Sequence, residues 1–230
     1  MSYIKEKKKL EEIGFIELSP NALFLKDWLD NEIRDIGRSL WYFRSNIEDE
    51  KERINKEKES IKNFNKDNLE NTLAYSHESL FLEIGSNRIE TNQIGGDLTD
   101  HHIFIHPNLS QLELLGDDVW PANFIISYKT NPEMCTSTIK TMIGKRIQKL
   151  EIIKLTPYDK KTRDAAQLSI DLKKDFFTGY SGLRITLEDG LVGAIGVGLV
   201  QNKENCKVYI LDNTEVDYSR VEKLIDVESL

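Results

Sequence analysis

Cysteine is almost missing from this chain: Cys135 and Cys206 are the only two in 230 residues, far apart and in no CxxC spacing. That excludes a disulfide framework and a zinc-knuckle pattern, and it points to a reducing compartment. Long apolar runs are missing too. The most apolar stretch, 191–200, is far too short to span a bilayer, and Tyr3-Ile4-Lys5-Glu6-Lys7-Lys8-Lys9-Leu10 has no apolar core of signal-peptide length. The expectation is a cytoplasmic, soluble protein with no membrane partner. Excess positive charge is also lacking: 31 Lys and Arg against 39 Asp and Glu leave a net charge of −8. Phosphate neutralisation needs clustered cations, so no nucleic-acid partner is expected, and a basic protein partner fits better.

What remains is enough to build a core. A chain of 230 residues holds one large domain or two small ones without structural metal or disulfides. Apolar residues at 39% and charged residues at 30% describe a globular protein with one unusually polar portion. The abundance of Lys, Asn and Ile suggests an AT-rich bacterial or phage gene.

Leu29, Ile33, Ile36, Leu40, Phe43 and Ile47 recur at steps of four and three. That spacing predicts one long helix over 27–64, uninterrupted by proline and about 55 Å long. Its first half, with Trp41 and Phe43 as anchors, is expected in the core. Its second half is charged nearly all round, leaving Ile47, Ile54 and Ile61 as a thin apolar seam and a candidate coiled coil. Those three isoleucines are the interaction residues this pattern proposes, and self-association into a homo-oligomer is the expected result.

Beyond residue 78 the period changes to two. Strands are expected at 80–84, 102–106, 123–128, 147–155, 168–172, 183–187, 191–200 and 206–211, with a short helix between Pro132 and Gly144. Asp189-Gly190 is a strong hairpin signal, since both residues tolerate the positive φ angles of a primed turn. Tyr218, Val221, Leu224 and Ile225 fit one face of a closing helix over 214–226. The fold class expected is therefore α+β. A helical region at 1–78 precedes a β-rich α+β domain at 79–230, built on an antiparallel sheet.

Candidate chemistry is sparse. Three of the four histidines lie in Asp100-His101-His102-Ile103-Phe104-Ile105-His106, near Asp97. In a strand, His102 and His106 share a face about 13 Å apart, too far to share one ion. Asp100 and His102, two apart, are close enough to contribute jointly to a metal site. Cys135 begins a short helix whose dipole could lower a thiol pKa, although burial is the safer reading. Gly193, Gly196 and Gly198 are spaced GxxGxG inside a strand, which close packing of a helix explains better than phosphate binding. Asp117-Asp118 reads as a turn. No motif names a cofactor. The function these features favour is protein–protein interaction rather than catalysis: an acidic inhibitor or immunity-type protein, or a component of a bacterial system. The alternative is a metal-dependent hydrolase or nuclease using Asp100 and His102.

Overall fold

Strands rather than helices make up most of the regular structure among the described residues. The computed structural model describes residues 3–42, 52, 72–75, 80–96, 99–107, 122–156, 180–200 and 208–230. Eleven strands account for about half of them: β1 Ile16–Glu17, β2 Ile33–Tyr42, β3 Leu80–Ile84, β4 Asn87–Gly96, β5 Thr99–His106, β6 Ala122–Ser127, β7 Ile147–Leu155, β8 Tyr180–Leu187, β9 Val192–Gly196, β10 Tyr209–Asp212 and β11 Val221–Asp226. Helices are short: α1 Tyr3–Glu12, α2 Thr72–Tyr75 and α3 Ser137–Met142. No helix among the described residues is long and apolar enough to cross a membrane.

The strands form two antiparallel sheets, a six-stranded one ordered β1-β5-β4-β3-β2-β6 and a five-stranded one ordered β10-β9-β8-β7-β11. Their facing sides share one core. Ile36, Leu82, Ile84, Ile103 and Ile105 of the first sheet join Leu150, Ile152, Leu183, Ile185 and Ile195 of the second. Each such side chain taken from water contributes roughly 1.5–3 kcal/mol before conformational entropy is counted. A smaller cluster of Ile153, Leu155, Ala194, Leu199, Tyr209, Leu211 and Val216 lies apart from this core. A third, Leu10 with Phe15 and Phe104, seats α1 on the outer face of the first sheet.

Arg38 ties these parts together. It is fully buried, and it donates to the carbonyls of Leu73 at 2.8 Å, Ala74 at 3.1 Å and Val208 at 2.6 Å. Strand β2, second from the edge of its sheet, is thereby bound to α2 and to the residue leading into β10. Close backbone approach explains the glycines of β8 and β9. A side chain on Gly196 would meet the Ser181 carbonyl at 2.5 Å and the Gly182 Cα at 2.8 Å. One on Gly193 would meet the Met142 sulfur of α3 at 3.1 Å, so a helix does pack over this strand.

The expected α+β fold with a long N-terminal helix over 27–64 is not what forms. Residues 23–28 make a 3₁₀ turn, Asp30 adopts φ +61°, and 33–42 become β2, hydrogen-bonded between β3 and β6. A bulge in β2 accounts for the helix-like spacing. The β2–β3 register shifts between Ile33 and Asp35, so the buried isoleucines Ile33 and Ile36 stand three apart, a helical step inside a strand. The rest of the expected coiled coil, including Ile47, Ile54 and Ile61, lies outside the described residues. The closing helix over 214–226 is likewise replaced, by two 3₁₀ turns and β11 along the edge of β7. Here the register shifts between Val221 and Lys223, and the apolar spacing is again distorted toward three.

Candidate functional site

The histidine-bearing strand β5 alternates as expected. Ile103 and Ile105 face the core, while Phe104 belongs to the outer cluster beneath α1. His102 is buried, and its Nδ1 lies 2.5 Å from Glu17 Oε1. The other Glu17 oxygen accepts from Lys7 Nζ at 2.5 Å, so a Lys7–Glu17–His102 chain links α1, β1 and β5. Asp100 is in the same strand, but its side chain is outside the description. Among the described residues no group of three or more His, Cys, Asp and Glu could hold a metal ion. His102 is thus brought to a carboxylate from the N-terminal segment, Glu17, which spacing alone did not single out.

Cys135 is buried beside α3, and loss of solvent pushes its thiol up to about 12, with Lys140 opposing and Asp35 and Glu133 assisting. That is the reverse of an activated nucleophile. Thr136, not the thiol, caps α3, its hydroxyl accepting from the Ile139 amide. The Asp117-Asp118 pair lies outside the described residues.

A second cluster forms on the five-stranded sheet. Glu151 of β7 and Arg184 of β8 are cross-strand neighbours, and Arg184 Nη1 donates to Glu151 Oε2 at 2.7 Å. Lys149 Nζ donates to the other Glu151 oxygen at 2.8 Å and stands 3.3 Å from Asp226 of β11. Those two hydrogen bonds raise the Lys149 pKa. The Arg184 guanidinium also lies 5.9 Å from the ring centroid of Tyr218, which is 37% exposed. Burial works against the charge of Arg184, but the Glu151 hydrogen bond and the Tyr218 contact outweigh it, and its pKa rises.

Tyr218 is held from below and beside. Its hydroxyl donates to Asn213 Oδ1, and Asp217 caps its 3₁₀ turn by accepting from the Ser219 amide at 3.2 Å. Two residues on, Arg220 is buried and donates to the carbonyls of Gly198 at 2.5 Å and Thr156 at 3.2 Å. The result is an exposed aromatic ring on an arginine, both fixed before any ligand arrives. Arg184 was visible in the sequence only as a charge between Leu183 and Ile185. The spacing of Tyr218, Val221, Leu224 and Ile225 fits a helix face and gives no sign of the position of Tyr218 beside Arg184.

Comparison with protein-family models, with curated proteins and with solved structures finds no match for this chain.

Proposed function

We propose that this chain is a protein-binding β-sandwich that engages its partner through the face of the five-stranded sheet centred on Tyr218 and Arg184. The observation that carries this reading is the fixed Tyr218–Arg184–Glu151 stack. Tyrosine and arginine supply large, rigid contact area, and side chains already held in place lose little rotamer freedom on binding. The net charge of −8 favours a partner of basic character, as an acidic inhibitor or immunity-type protein or a component of a bacterial system would have. A cytoplasmic setting suits a chain whose described cysteine, Cys135, is a free buried thiol.

Affinity capture with the full chain tests this. A partner retained by the wild type and by Lys8→Ala, on the distant α1, but lost with Tyr218→Ala and Arg184→Ala is the expected result. Equal capture by all four proteins contradicts it.

A further inference from the structure

The N-terminal segment 3–18 lies over the outer face of β5 and touches two of the chain's four histidines there. Glu17 receives His102, as described above. His106 stands edge-on to Phe15, with ring centroids 5.4 Å apart and planes at 83°. Its Nε2 lies 2.7 Å from where a side chain on Gly14 would begin, so only glycine, at φ +92°, lets the backbone sit against the ring. Its Nδ1 is buried with no hydrogen-bond partner among the described residues. The segment is otherwise held by the two-residue strand β1, by the Leu18 amide on the Ile103 carbonyl with Leu18 itself in the core, by the Glu17–His102 contact, and by Leu10 and Phe15 on Phe104.

We propose that residues 3–18 form an acid-released strap, with His106 as its trigger. A neutral imidazole accepts a seat between Phe15 and the Gly14 backbone. A protonated one places a charge and an extra donor there, and opening the strap returns both to water. Release uncovers Phe104 and the edge of β5 at Phe104 and Ile105, which β1 otherwise occupies.

The surrounding charges set the direction. Glu90 of β4 is the cross-strand neighbour of His106. His102 of β5 and Glu17 of β1 pair with each other, Lys7 of α1 pairs with Glu17, and Glu11 and Glu12 turn toward Lys7 and Lys8. The His102–Glu17 contact holds the strap closed, which leaves His106 to drive release. Burial lowers the His106 pKa from its ordinary 6.5, against a hydrogen bond that the ring donates to the Ile13 carbonyl. At His106 the closed strap therefore binds its proton less readily than the open one as the pH falls through 6.5. Closure is favoured above that pH and weakens below it.

Hydrogen exchange on the full chain, corrected for intrinsic rates, tests the strap between about pH 7.5 and about pH 5.5. Amides 15–18 should lose protection while those of β8 keep theirs, and His106→Gln should flatten the response. Unchanged protection at 15–18, a parallel loss in β8, or the same loss in His106→Gln overturns the proposal. NMR titration of the wild-type His106 ring gives a second reading that needs no variant. A midpoint below the ordinary histidine value supports the strap, and one at or above it overturns it.

Discussion

Arg184 and Glu151 face each other across β8 and β7, 2.7 Å apart, and each makes one further contact: Glu151 holds Lys149, and Arg184 lies beneath Tyr218. The buried carboxylate is therefore the foundation of the exposed ring. Replacing it strands the arginine.

Glu151→Gln keeps the shape and removes the charge. Because Arg184 and Lys149 are partly solvated, the stability loss should be about 1–2 kcal/mol rather than the larger cost of a fully buried pair. Urea unfolding measures it. Partner binding should fall as well, since Tyr218 loses its fixed support.

Arg38→Met should be far more damaging. The substitution leaves the carbonyls of Leu73, Ala74 and Val208 without this donor in a site where Arg38 has no solvent exposure. A loss of about 3–5 kcal/mol is expected in equilibrium unfolding.

Two glycines separate crowding from backbone strain. Gly196→Ala drives a methyl into backbone atoms of Ser181 and Gly182 and should cost more than about 2 kcal/mol. Gly190→Ala meets nothing within 4 Å and carries only the cost of φ +82°, roughly 1–2 kcal/mol. Thermal unfolding of the two variants should rank them in that order.

The strands at 80–84, 147–155 and 183–187 are legible as short apolar runs, two of them buried on both faces, and Asp189-Gly190 marks its hairpin, although only Gly190 takes a positive φ and the turn is not the expected primed one. β2 and β11 are not legible, and for one reason. A bulge adds a residue to the strand, and Ile33 with Ile36 then imitates a helical face. Arg38 compounded the error, because a lone arginine in an apolar strand gives no sign that three distant carbonyls await it. The candidate site was least legible of all. Glu151, Arg184 and Tyr218 are brought together by pairing across three separate segments, and no local spacing records that.

Burial pushes the Cys135 thiol up to about 12, so it stays protonated near pH 8. In a Cys206→Ser background, iodoacetamide should therefore label Cys135 slowly in the native protein and rapidly in urea. Fast native labelling would show that the thiol is accessible and ionised.

Direct contact at Tyr218 is best tested with a photo-crosslinking phenylalanine analogue at position 218 and, separately, at exposed position 8. Irradiation in the presence of native lysate should yield a discrete higher-mass adduct from position 218 and none from position 8. Adducts of equal yield from both positions, or from position 8 alone, would contradict a binding face centred on Tyr218 and Arg184.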